Sequence, residues 1–120
     1  MLELLAKLKG SRPHLLHFSV STQVTIHDVV LRNSPNFHVK LDDCQTIRIH
    51  HVNIRVNTTA QLNLLTSLSL EGLFWMFPFN TDGIDPRGND IHVYNVTCQN
   101  WDDVVVAKPS RRTDRYGTCT

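Results

Sequence analysis

VTIHDVVL occupies residues 24–31, IRIHHVNI residues 47–54 and IHVYNVTC residues 91–98. Laid over one another, the three stretches share their apolar positions: Val24/Ile47/Ile91, Ile26/Ile49/Val93, Val29/Val52/Val96 and Leu31/Ile54/Cys98. Each alternates apolar and polar residues, as a half-buried strand does, then kinks over one extra residue before alternation resumes. The flanks repeat as well, since NSPNFHV at 33–39 is matched by NWDDVVV at 100–106. Short β-branched strands recurring about every 22 residues, broken by Asn, Asp, Ser, Pro and Gly, mark a stack of equivalent units.

The pattern predicts an all-β chain, a right-handed parallel β-helix in which each repeat is one coil. Repeats containing helices would need about ten residues of 3.6 periodicity per unit, and no unit offers them. A Greek-key sandwich is the structural rival, but it predicts no in-register identity from Val24 to Ile47 to Ile91. The second of those shifts is nearly twice the first, so about one repeat's worth of chain is surplus. That surplus falls at 59–78, either as a poorly matching coil or as a loop thrown out from one corner. Leu62, Leu64, Leu65, Leu68 and Leu70 suit both readings. Phe74, Trp75, Met76, Phe77 and Phe79 suit a packed core, or a cleft in which sugar faces lie on aromatic rings. The expected count is about four to five coils over residues 11–120, without terminal coils, after a short amphipathic extension at 1–10.

Bulk properties exclude more than they assign. Twelve basic and eleven acidic residues in 120 leave no electrostatic footprint for nucleic acid. No apolar run approaches the ~20 residues of a membrane span. Cys44, Cys98 and Cys119 are too few and too spread for a disulfide framework, and none has zinc spacing. His27 and His50, one repeat apart, are expected as an outward solvated ladder without metal. The opening decapeptide lacks a cleavage site and does not read as a signal peptide.

Three carboxylates stand out at loop–strand junctions: Asp82 in NTDGID (80–85), and Asp102 and Asp103 in NWDDVVVAK (100–108). Asp82 precedes the pair by about the length of one coil, which puts all three on one face. Crowded acids repel, so such a cluster suits acid/base chemistry or cation binding. Asp85 reads as a turn aspartate before Pro86.

NTDG followed by a DD pair inside this repeat resembles the polygalacturonase family (glycoside hydrolase family 28), pectin-degrading enzymes built on a right-handed parallel β-helix. RPHLL at 12–16 and NSP at 33–35 are also similar to that family. The family's later GHG and R-[IV]-K motifs are absent, and the resemblance implies that they lie beyond Thr120. It implies hydrolysis of α-1,4-galacturonosidic bonds in pectin or polygalacturonate with inversion. Asp102 is then the general acid, Asp82 and Asp103 hold and activate water, and Asn80 and Lys108 contact substrate. It further implies no cofactor, a galacturonan polysaccharide as partner, no nucleic acid, no membrane, a monomeric full-length form and extracellular action. The sequons at Asn57 and Asn95 are compatible with secretion. The chain alone is expected to be weakly active or inactive, and its open strand edges to favour aggregation. Two other classes of function fit the same residues. One is a non-catalytic carbohydrate-binding or structural β-solenoid. The other is a calcium-binding solenoid using Asp82, Asp85, Asp102 and Asp103 as oxygen ligands.

Overall fold

The computed structural model describes residues 12–60, 63 and 80–109. Six strands follow one another: β1 (Leu16–Ser19), β2 (Thr22–Arg32), β3 (Val39–Asp42), β4 (Cys44–Arg55), β5 (Ile84–Asp85) and β6 (Gly88–Gln99). Odd strands form one parallel sheet in the order β1-β3-β5, and even strands a second in the order β2-β4-β6. The chain thus visits the two sheets in turn, and every return adds one strand beside the last.

Register confirms the alignment read from the repeat. Val24 pairs with Ile47 and Ile47 with Ile91, and the rows through Ile26, Val29 and Leu31 follow in the same way. β4 pairs directly with β6, and the surplus at 59–78 lies almost wholly outside the described residues. The leucines and aromatics expected there, the 1–10 extension and the polar tail from 110 onward lie outside the described residues. Among those described, each sheet holds three strands, and isolated parallel bridges at Ile84–Val105 and Arg87–Lys108 open a fourth layer.

One register differs by a single position from the expected one. Asn33 and Asn100 keep the relation read from the flanks through the bonds Asn33 N–H to Arg55 O and Val56 N–H to Gln99 O. Val39, however, stacks under Ile84, and Ile84 pairs with Val105 rather than Val106. The loop ahead of Val105 is therefore one residue shorter than the loop ahead of Val39.

The kink in each repeat has a backbone cause. Asp28, His51 and Asn95 sit in one row with φ of 53°, 51° and 50°, and Gln23, Thr46 and Asp90 in another with 57°, 57° and 53°. A left-handed residue turns the strand and is skipped in the ladder. Asn, Asp and His tolerate this region best among non-glycine residues, and the first row uses those three types. Between the bends, apolar residues point into the space enclosed by the sheets. Ile47, Ile49 and Ile54 of the central strand are fully buried, with Val39, Leu41 and Ile84 from the other sheet against them. Each such side chain contributes roughly 1.5–3 kcal/mol. Val24, Ile91, Val93 and Val96 on the outer strands are only partly covered.

Outside, the polar positions stack too. The His27 and His50 rings lie parallel with centroids 5.2 Å apart, and His50 and Tyr94 at 5.0 Å. The expected histidine ladder is present, extended by a tyrosine. Cys44 is buried and Cys98 half-buried, and both are free thiols.

Candidate active site

NTDG forms the approach to β5, and each of its residues has a local reason. Asn80 has a φ of 59°, a region asparagine tolerates, and its backbone N–H donates to Asp102 Oδ2 at 2.9 Å. Thr81 is buried and staples the neighbouring layer. Its Oγ1 accepts from Trp101 N–H at 3.2 Å, and its carbonyl accepts from Asn100 Nδ2 at 2.9 Å. Gly83 lets the layers touch: its N–H donates to Asp103 O at 2.9 Å, and a Cβ there would meet Val104 O at 2.5 Å. Asn100 Nδ2 also donates to Asp103 O at 3.0 Å, and Asp103 N–H to Asp102 Oδ1 at 2.9 Å. The DD turn is thus tied down on three sides, directly over Asp82.

The result is the cluster expected from spacing. One carboxylate oxygen from each of Asp82, Asp102 and Asp103 lies within 4.8 Å of the others. Asp82 is buried, whereas Asp102 and Asp103 are exposed. Burial, the charge of Asp85 and then that of Asp102 push the Asp82 carboxyl up to about 7. Asp102 uses both oxygens as acceptors for backbone N–H groups.

Asp85 departs from expectation. It is not an exposed turn residue but a strand residue 2% accessible, on the side of β5 that carries the acids. Burial raises its pKa, against the pull of Lys108, whose Nζ stands 3.4 Å from Oδ2. Pro86 misled the sequence reading: it ends the two-residue strand, but Lys108 of the next layer folds back over the carboxylate. Lys108 is therefore committed to an internal ion pair and not simply presented to solvent.

His38 was missed. Its side chain is fully buried, and its Nδ1–H and backbone N–H both donate to Asp82 O, at 3.1 and 2.9 Å. Nε2 accepts from Ser34 N–H at 3.3 Å, which fixes the tautomer. Burial lowers its pKa, so it holds the Asp82 backbone as a neutral imidazole. The sequence offered no signal for it, because only the stacking of β3 under β5 places His38 beneath Gly83. Asn57 and Asn95 are both exposed and belong to other surfaces, Asn57 after β4 and Asn95 on β6.

Comparison with known proteins adds the family. The family model described as Glycosyl hydrolases family 28 matches residues 5–113. The chain belongs to glycosyl hydrolases family 28. It is 32% identical over 102 residues to Rhamnogalacturonase B of Aspergillus niger, covering 84% of this chain and 15% of that protein. It is 31% identical over 103 residues to an endo-polygalacturonase of Pectobacterium carotovorum, covering 85% of this chain and 21% of that one. A probable rhamnogalacturonase A of Aspergillus oryzae is 30% identical over 96 residues, 80% of this chain and 16% of its own length. This family 28 chain therefore spans 15–21% of these relatives. No solved structure matches it. Family membership makes it glycoside hydrolase sequence, in line with the pectic activities in the relatives' names.

Proposed function

We propose that this chain carries the acid half of a pectin-hydrolysing active site, set on a right-handed parallel β-helix and acting on α-1,4-galacturonosidic bonds outside the cell. The observation that carries the reading is three carboxylates drawn within 4.8 Å, one of them buried and raised to about 7. Glycosidic cleavage needs one protonated acid at the leaving oxygen and one ionised carboxylate to activate water, and unequal environments supply that division. In the assignment from resemblance, Asp102 protonates the leaving group, Asp82 and Asp103 activate water, and Asn80 positions substrate. Lys108 acts through Asp85, and no cofactor takes part.

One observation favours a second assignment of roles. Asp82 is the carboxyl held protonated near neutrality, while Asp102 accepts two N–H bonds. On that basis Asp82 is the resting proton donor and Asp102 the ionised partner. The spacing also bears on stereochemistry. Inverting pairs usually stand about 6.5–9.5 Å apart and retaining pairs about 5–5.5 Å. The oxygens here are closer than either, and room for water requires the exposed Asp102 side chain to swing outward.

The test is product release from polygalacturonate and from rhamnogalacturonan, with the anomer of the first product read by proton NMR. Asp102→Asn and Asp82→Asn are run alongside, with and without a chelator. At most weak hydrolysis of a galacturonan, lost in both variants and indifferent to chelator, is the expected result from this chain. Sugar binding without any hydrolysis indicates the carbohydrate-binding alternative, and loss of the fold on chelation indicates the calcium one.

A further inference from the structure

The buried side of the acid cluster holds carboxylate oxygens that nothing around them satisfies. Asp82 is 6% and Asp85 2% accessible where the chain enters β5. While both are ionised, Asp82 Oδ1 and both oxygens of Asp85 accept no hydrogen bond among the described residues. Lys108 Nζ, 3.4 Å from Asp85 Oδ2, brings charge without completing such a bond. An unpaired buried carboxylate oxygen is costly, and two buried carboxylates side by side resist both being ionised. One proton between them relieves both penalties, and the two carboxyls stand within hydrogen-bonding range of each other. Their surroundings decide which of them keeps it. Lys108 is the cation on the Asp85 side, and His14 adds a weaker pull there. Lys40 is the register partner of Asp85 on β3, but its ammonium is 3.5 Å from Asp42. Asp82 faces Asp102 and Asp103 instead, with one oxygen of each within 4.8 Å. Positive charge beside Asp85 and negative charge beside Asp82 leave the proton on Asp82. The rise of the Asp82 carboxyl to about 7 matches that placement.

We infer that Asp82 and Asp85 form a proton-sharing pair, and that Asp85 is a positioning residue that lets Asp82 take a proton from water. The catalytic part rests on the pectin-hydrolase reading above and adds how its buried acid works. In the assignment where Asp82 activates water, a protonated Asp82 has no place for the water proton unless it gives up its own. The pair supplies the exit. As the water oxygen bonds to the anomeric carbon, its proton passes to Asp82. The proton that Asp82 held crosses the hydrogen bond to Asp85. Asp102 gives its own proton to the leaving oxygen as the glycosidic bond breaks. The pair has then gained one proton and Asp102 has lost one, and exchange through solvent restores both. Lys108 keeps Asp85 ionised until that moment, which is the use of an ion pair buried behind the acids.

The experiment follows the aspartate side-chain carboxyls of the full chain by carbon-13 NMR from pH 4 to 9. Asp82 and Asp85 are expected to change in the same steps, since a shared proton is felt by both. Asp85→Asn keeps the shape and removes the charge, so a role in packing alone would leave Asp82 unmoved. The Asp82 midpoint is instead expected to fall by at least about one pH unit. Lys108→Met should move both steps upward. Independent titration of the two carboxyls, or an Asp82 midpoint untouched by Asp85→Asn, overturns the pair. The first of these is read on the unaltered chain and requires no variant to fold. Where polygalacturonate hydrolysis is measurable, Asp85→Asn should lower kcat at least about tenfold with KM unchanged, and an unchanged kcat overturns the relay. Shared titration without hydrolysis by any form of the protein refutes the pectin reading and upholds the pair, and hydrolysis with independent titrations does the reverse.

Discussion

Asp82→Asn should make the protein more stable at alkaline pH while changing little in acid. In the native state the Asp82 carboxyl holds its proton up to about pH 7, whereas its ordinary value is 3.8. Between those values the folded chain binds a proton that the unfolded chain has released, so stability falls as pH rises. That difference, at about 1.36 kcal/mol for each pH unit, sets an upper bound of roughly 4 kcal/mol lost between about pH 4 and 8. Part of it belongs to Asp85, also raised and close enough to share the repulsion, and solvent around the exposed Asp102 screens more. About 2–3 kcal/mol is therefore expected from Asp82 itself. Asparagine has nearly the shape of the protonated acid and cannot ionise. The assay is urea denaturation followed by far-UV circular dichroism at pH 4, 5, 6, 7 and 8 for both proteins. The curves should coincide near pH 4 and diverge steadily above it, with the variant higher. Parallel curves, or a variant that loses stability faster with rising pH, would refute the claim that a buried, repelled proton sits on Asp82.

Two further outcomes come from the same geometry. Gly88→Ala should destabilise by more than about 3 kcal/mol or prevent folding, because φ is +147° and a Cβ would stand 1.9 Å from Cys44 O; unchanged thermal unfolding would contradict the close approach of β4 and β6. Lys108→Met should cost about 1–3 kcal/mol at pH 8 and much less at pH 5, since it leaves the buried Asp85 without its cation. Adding Asp85→Asn should recover most of that loss, and a double variant no better than the single one would show that the pair is not coupled.

The parts of the structure that were legible in the sequence are those where one residue type recurs at a fixed place. The rows through Val24, Ile26, Val29 and Leu31 could be aligned by eye, because a buried position in a stacked strand accepts little besides an aliphatic side chain. The gathering of Asp82 with Asp102 and Asp103 followed from the same arithmetic. The burial of Asp85 could not be read, since an Asp-Pro dipeptide has the composition of a solvated turn. What buries it is a lysine a full layer further along the chain that reaches back across. His38 stayed hidden because nothing in its neighbours shows which carbonyl it will meet, and its partner Asp82 O belongs to a different circuit of the chain. The one-position slip between Val39 and Val105 escaped because NSPNFHV and NWDDVVV have valines at adjacent positions, so either offset matches. Side-chain periodicity reports the faces of a strand, while loop length and tertiary pairing decide the rest.

The two rows of left-handed residues do more than bend the strands. A strand in an ordinary parallel sheet can slide past its neighbour by two positions and still present the same face. Here a slide would bring an unpaired bend against a straight, bonded segment, and the ladder would break at two points per strand. Gln23, Thr46 and Asp90, with Asp28, His51 and Asn95, therefore act as notches that accept one alignment. Because the notches lie within the strands, alignment does not depend on the connection between one circuit and the next. That is how the circuit from Val24 to Ile47 and the far longer one from Ile47 to Ile91 share a ladder without a mismatch.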